Sequence, residues 1–369
     1  MGAQPRVSVV ITSVGRERWL REAIESAVAQ RYPRLEVIVV DAGPRGAVRG
    51  LIARYGRRVV PLLRPNGTRA AALNAGFEAS RGEVVLTLDG DDRLAPEAAA
   101  RVAAAWRPDV AKVHFRLRVV DAAGRPRGPL VPDARTPLPA GDLRYELLDR
   151  FVYPCPPASG NAYGRDALSA LLPIPDGEGA LGADAYLAAC LPFHGRVVAI
   201  DAPLGDYRLD AREHRTASAG DTTTRLARAV AQAIEREALV RRTAEAYGFP
   251  VPADLALRDP WCAAARLVLR VADRAAYPKP DEGRLFLAAR GLAAACRRRD
   301  GPAGRRAALA AWFLLVPLLP SRAARRLAPA ALERWRAALG EPGPDAPGMP
   351  TRSGQPPHVA RRVPTRAAW

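Results

Sequence analysis

Within the first 120 residues, short β-branched runs alternate with amphipathic stretches, and this alternation limits the possible folds more than any other feature of the chain. Val7–Ile11, Leu35–Val40, Val59–Leu63 and Val84–Leu88 read as strands. Between them, Arg16 to Gln30 places Trp19, Leu20, Ala23, Ile24, Ala27 and Val28 on one helical face. Val48–Tyr55 and Arg69–Ala79 read as further helices, and Pro96 stands at the favoured first position of another. Strands joined by helices form a mostly parallel sheet covered on both faces, so the fold class is α/β.

The rest of the chain divides in two. Residues 121–180 are rich in Pro, Gly and Arg and read as loops with short elements. Asp184–Cys190 then reads as a helix and Val197–Ile200 as a strand. From about Thr222 the pattern turns Ala-, Leu- and Arg-rich, with helices expected over 222–247, 260–275, 282–299 and 305–319. The organisation expected is an α/β domain over 1–218, a helical C-terminal region over 219–339 and a disordered Pro/Gly/Arg-rich tail over 340–369.

In a parallel sheet, ligands bind beyond the carboxyl ends of the strands. Asp89-Gly90-Asp91-Asp92 follows the run Val84–Leu88 at such an end. Asp89 and Asp91 are two residues apart, so both carboxylates can lean to one side and hold Mg²⁺ or Mn²⁺ with phosphates completing the shell. Gly90 would leave room for a ligand, and a polar turn is the plainer alternative. Asp41 ends the strand Leu35–Val40 at the same edge. Arg69 starts a helix after the turn Asn66-Gly67, where it could meet a phosphate or a base.

Several chemistries are excluded. Gly43, Gly46 and Gly50 do not fit the dinucleotide-binding glycine pattern, and no P-loop is present. Cys155, Cys190, Cys262 and Cys296 form no CxxC pair, which argues against zinc and redox motifs and suits reduced thiols in a cytosol. Val7–Ile11 is too short for the apolar core of a signal peptide. Aromatic residues make up 6% and do not interleave with the arginines, so nucleic acid is not the expected partner.

The order of these motifs carries a resemblance. The run VSVVITSVGRERWLREAIESAVAQRYPRLEVIVVDAG, followed by NGTRAAALNAGFEASRGEVVLTLDGDD, resembles the family 2 glycosyltransferases of the GT-A fold over about residues 7–210. The resemblance implies a nucleotide-diphosphate sugar donor, a divalent metal (Mn²⁺ or Mg²⁺), and inverting transfer to an acceptor hydroxyl. Thr12 matches the family's nucleoside-pocket position, Asp41 the first carboxylate of its pair after the second strand, and Arg69 a nucleotide-contacting arginine. Asp89 and Asp91 match the ends of the DXD motif, the first facing ribose or sugar and the second the metal. Gly160-Asn161-Ala162-Tyr163 with Arg165 resembles a segment that shapes the acceptor site, and Tyr207-Arg208-Leu209 resembles the family's closing Tyr-Arg element, which implies that Arg208 belongs to the same acceptor region. Asp184 matches the catalytic base, and His214 stands near the place of a metal-reaching histidine.

Three positions depart from the family pattern. Ala42 stands where the second carboxylate is usual, Val14-Gly15 replaces an aromatic-Asn pair, and Ala183 replaces a Glu before the base. They keep a second reading open, a non-catalytic nucleotide-sugar-binding scaffold of the same fold. The acceptors that the resemblance implies are a glycan, a lipid-linked sugar or a small molecule, in polysaccharide, glycolipid or glycosylated-metabolite assembly.

The formal charge of +18 is uneven. Residues 297–369 hold 14 arginines against Asp300, Glu333, Glu341 and Asp345. Among them lies the apolar stretch Ala307–Leu319 with Trp312 and Phe313. It is too short to span a bilayer but suits an anionic membrane surface, where each nearby arginine gains about 1 kcal/mol. An ordinary core helix is the alternative. The expected location is the cytoplasm, with peripheral contact to the inner face of the cell membrane.

Overall fold

The structure, a computed structural model, describes residues 4–13, 17–43, 48–64, 67–176, 181–209, 222–297 and 303–320, with residues 323 and 332. Among the described residues nine strands form one sheet: β1 (Val7–Ser13), β2 (Leu35–Asp41), β3 (Val60–Leu63), β4 (Val84–Asp89), β5 (Arg93–Leu94), β6 (Val110–Val120), β7 (Pro126–Val131), β8 (Asn161–Gly164) and β9 (Arg196–Arg208). Their order is β3-β2-β1-β4-β8-β6-β9-β5, with β7 beside β6. β1 to β4 are mutually parallel where they pair. β8 runs antiparallel to both β4 and β6. This is the α/β GT-A arrangement, a mixed sheet with helices on both faces followed by a helical region.

The alternation along the strands explains both cores. Val7, Val9 and Ile11 of β1 pack with Leu20, Ala23, Ile24 and Ala27 of the helix Glu17–Val28 on one face. Val10 of β1, with Ile38 and Val40 of β2, packs on the other face with Ala72, Leu73 and Phe77 of the helix Arg69–Ala79. That helix lies close because Gly76 has no side chain: a Cβ there would stand 2.3 Å from Val10 Cγ1. The helix after β4 begins at Ala98, two residues beyond Pro96.

The second apolar cluster continues past the sheet. It takes in Leu187 and Cys190 of the helix Ala183–Cys190, Val230 and Val240 of Thr222–Ala246, Leu267 of Pro260–Ala272, and Leu287 of Arg284–Arg297. The C-terminal helices therefore share a core with the sheet. Pro260 does stand at a helix start, where Asp259 caps by accepting from the Cys262 N–H at 2.8 Å. The expected boundary at 218/219 and the tail 340–369 lie outside the described residues.

The apolar stretch Ala307–Leu319 falls in the helix Ala303–Leu315 and the turn after it. Leu309, Phe313 and Val316 are buried, and Phe313 fills the space above Gly291. Leu314, Leu315 and Leu318 are exposed. Among the described residues no helix is long and apolar enough to cross a membrane.

Residues 121–180 hold the short elements expected among their loops, including β7, β8 and the helix Arg144–Arg150. β6 has no counterpart in the sequence reading at all. Its Lys112, His114 and Arg116 alternate with Val113, Phe115 and Leu117, which resembles a solvated face. In the fold both faces are covered, and the three polar side chains are buried. Arg116 is held by Asp201 and by the carbonyls of Pro132, Asp133 and Thr136. Burial drives the His114 imidazole down to about 3, so it stays neutral against the Pro139 carbonyl.

Candidate functional site

Three adjacent parallel strands end together. The register sets Thr12 of β1 opposite Asp89 of β4, and Ser13 of β1 opposite Asp41 of β2. Thr12, Asp41 and Asp89 thus line the carboxyl edge of the sheet, where such sheets bind ligands. The Thr12 hydroxyl donates to Asp89 Oδ1 at 3.4 Å. Asp41 is buried and accepts from the Gly43 N–H at 3.0 Å. Burial pushes its carboxyl above the usual range against the opposing pull of that bond.

Arg69 enters from the first turn of its helix. Thr68 caps that turn, accepting from the Ala71 N–H at 3.1 Å and donating to Asp176 at 2.6 Å. Asn74 clamps Ile174 by bonds to both its carbonyl and its N–H. Arg69 Nη2 lies 2.7 Å from Asp89 Oδ1 and 3.7 Å from Asp184 Oδ2. Asp184 stands in the first turn of Ala183–Cys190, nearly a hundred residues further along the chain. The fold thus sets the β4 acid and the helix acid on either side of one guanidinium. The Asp184 charge and, first, burial push the phenol of Tyr163 well above its usual range, so it remains neutral.

Asp89, Asp91 and Asp92 bring oxygen atoms within 4.8 Å of one another, the only such acidic, His or Cys group among the described residues. Asp92 is committed to the fold: it accepts from the Ser159 hydroxyl at 2.5 Å and from the Arg208 N–H at 2.8 Å. Asp89 and Asp91 are the pair suited to a cation, and carboxylate oxygens match the hard ions Mg²⁺ and Mn²⁺.

Other predicted residues are placed differently. Gly90 gives no room to a ligand; it packs on β1, where a Cβ would stand 3.1 Å from the Thr12 carbonyl oxygen. Gly160 and Asn161, expected to shape an acceptor site, are buried. A Cβ on Gly160 would meet Pro156 at 2.6 Å, and Asn161 Nδ2 donates to the Pro157 carbonyl at 2.7 Å. Arg208, also assigned to the acceptor, is a buried clamp. It donates to the Asp91 carbonyl at 2.8 Å, to the Ala122 carbonyl at 3.1 Å and to Glu22 at 2.6 Å, which leaves it turned into the protein. Ala42 is buried beside the Gly67 turn, so an apolar group fills that position. His214, Val14, Gly15 and Asn66 lie outside the described residues.

Two residues that sequence reasoning missed hold the acidic loop. Ser159 accepts from the Asp89 N–H at 3.0 Å while donating to Asp92. Glu22, from the helix Glu17–Val28, anchors Arg208. Neither belongs to a local motif; their partners are 70 and 186 residues away.

Comparison with known proteins agrees with this geometry. Residues 8–169 match the family described as glycosyl transferase family 2. An uncharacterized glycosyltransferase of Nostoc sp. is 29% identical over 234 residues, 61% of this chain and 71% of that one. An uncharacterized glycosyltransferase of Rickettsia prowazekii is 35% identical over 92 residues, 25% of this chain and only 29% of that one. Among solved structures, S. aureus TarS 1–349 in complex with UDP-GlcNAc superposes with a TM-score of 0.50 at 14% identity, covering 91% of this chain and 93% of that one, which bears on the fold alone. The matched residues 8–169 contain the strand ends and the acidic loop just described, so this part of the chain is similar to glycosyl transferase family 2.

Proposed function

We propose that the protein transfers a sugar from a nucleoside-diphosphate donor to an acceptor hydroxyl with inversion at the anomeric carbon. The observation that carries this reading is the meeting of Asp89, Arg69 and Asp184 at the edge where β1, β2 and β4 end. Thr12 and Asp41 are suited to hold the nucleoside. Asp89 and Asp91 would hold a divalent cation, which supplies electrostatic stabilisation of the charge that develops on the leaving diphosphate. Arg69 adds a fixed positive charge beside the same group. Asp184 orients the acceptor hydroxyl and takes its proton. The acceptor oxygen bonds to the anomeric carbon as the bond from that carbon to the diphosphate oxygen breaks, and the electron pair leaves with the nucleoside diphosphate.

The test is release of sugar from UDP, GDP, dTDP and CDP sugars by the purified protein with Mn²⁺. Slow release from one donor, lost on chelation, supports the reading. Tight donor binding with no turnover, even with acceptors present, would instead favour the scaffold.

Asp41 offers a check that separates binding from stability. Because its folded carboxyl is raised above the unfolded one, its contribution is favourable when protonated and is lost as pH rises through the folded value. Asp41→Asn is therefore expected to raise the melting temperature at about pH 7. The gain should shrink toward zero below about pH 4, where the wild-type carboxyl is protonated in both states. The same variant should bind the nucleotide more weakly. A melting temperature lowered at neutral pH would contradict this account of the site.

A further inference from the structure

Lys112 and Lys279 are the only lysines among the 56 basic residues of the chain, and the fold treats them differently. Lys279 is half-buried and meets two acids, Glu237 and Glu282, each at 3.7 Å. Lys112 of β6 is buried, and no acid pairs with it among the described residues. Its Nζ instead lies 2.8 Å from Sγ of Cys155. The Tyr153 ring is the other neighbour, with its centre 5.4 Å from the same nitrogen. Burial pushes the Tyr153 phenol up, so it supplies no counter-charge at neutral pH. A buried ammonium is ordinarily matched by an acid. Here a thiol stands in the place of that acid.

The two groups are chemically suited to bond. A guanidinium keeps its proton in proteins, whereas a desolvated lysine amine can act as a nucleophile. Cys155 is half-buried beside a basic group, the setting of a reactive cysteine. Among the described residues no lysine hydrogen-bonds to Cys190, Cys262 or Cys296. Cys155 also stands four residues before Ser159, which accepts from the Asp89 N–H and donates to Asp92. Asn161 holds the intervening turn by donating to the carbonyls of Pro156 and Pro157. The Lys112–Cys155 contact therefore fastens the segment beneath the acidic loop to β6.

We propose that Lys112 and Cys155 are an oxidative modification site, where one oxygen atom comes to bridge Nζ and Sγ covalently. The oxidant is hydrogen peroxide. The amine, the thiol and two molecules of peroxide give the bridge and three molecules of water. An S–O bond and an N–O bond form, while the S–H bond, one N–H bond and both peroxide O–O bonds break. Sulfur and nitrogen each give up two electrons, which the peroxide oxygens take. A bridging oxygen suits a pair already 2.8 Å apart, because neither atom has to close to the length of a direct S–N bond. The bridge joins residues 43 apart in the chain, so it restricts the unfolded state and stabilises the fold. It needs neither donor nor acceptor and stands apart from the transferase reading.

The test treats the folded full-length wild-type protein with hydrogen peroxide and analyses its digest by mass spectrometry. A linked pair of peptides carrying Lys112 and Cys155 is expected, one oxygen heavier and two hydrogens lighter than its members together. Dithiothreitol should separate the pair. The treated protein should melt at a higher temperature than the untreated one, and dithiothreitol should reverse that rise. Cys155→Ser and Lys112→Gln should show neither the linked pair nor the rise. Recovery of the two peptides unlinked from oxidised wild type, a result that needs no variant to fold, would overturn the proposal. So would a linked pair without the added oxygen, which would mean a direct S–N bond. An equal rise in melting temperature in Cys155→Ser would overturn the stabilising role and place the effective oxidation elsewhere.

Discussion

Asp184→Asn is expected to lower turnover by about 10²–10⁴-fold, the usual contribution of a general base, while donor binding survives. The substitution keeps the shape of the side chain and removes only its capacity to take a proton. Asp184 stands on a helix turn rather than on a loop, its side chain is 29% exposed, and its nearest cation is Arg69 at 3.7 Å. At that distance the Arg69 contact is loose, whereas Arg69 and Asp89 meet at 2.7 Å. Arg69 should therefore hold its place in the variant, and the Michaelis constant for the donor should stay near the wild-type value. A parallel loss of donor affinity would mean that Asp184 acts by positioning Arg69 instead. Unchanged turnover would remove it from the chemistry altogether.

The second large effect is expected at Asp91. Asp91→Ala should abolish the Mn²⁺-dependent part of nucleoside-diphosphate binding, measured by calorimetry with and without the ion. Changes in residues that only support metal ligands already cost about 10–100-fold in metal affinity, so loss of a ligand should exceed that. The reason for choosing Asp91 over its neighbour is structural. Asp92 shares the acidic group but has given its oxygens to Ser159 and to the Arg208 N–H. Equal Mn²⁺ dependence in Asp91→Ala and wild type would show that the cation is held elsewhere or is not needed.

The parts of this site that were legible in the sequence share one physical cause. Asp41 and Asp89 each follow a β-branched run, and in a parallel sheet the residue after such a run sits at the ligand edge whatever the loops do; Thr12 was singled out through the family resemblance alone. Asp89 and Asp91 suggested a cation pair because their spacing lets them face one way, and the fold brings their carboxylates together with that of Asp92. The helices of the C-terminal region were legible from their Ala-, Leu- and Arg-rich composition, whereas the helix expected to start at Pro96 starts at Ala98.

What the sequence hid was tertiary. β6 alternates Lys112, His114 and Arg116 with apolar residues, and only the covering segment around Pro132–Pro139 turns that polar face inward. Arg208 looks like a residue offered to a ligand, yet its partners come from Glu22, Asp91 and Ala122, three separate segments. Gly160 and Asn161 likewise serve the packing beneath the acidic loop.

The most direct test follows the anomeric carbon itself. Nuclear magnetic resonance of the first-formed product, taken from whichever nucleotide sugar the protein turns over with Mn²⁺, reports the configuration before mutarotation erases it. A single displacement assisted by Asp184 predicts a β product from an α-linked donor, and product from Asp184→Asn lowered by about 10²–10⁴-fold under the same conditions. An α product from an α-linked donor, or full turnover by the Asp184→Asn variant, would contradict it.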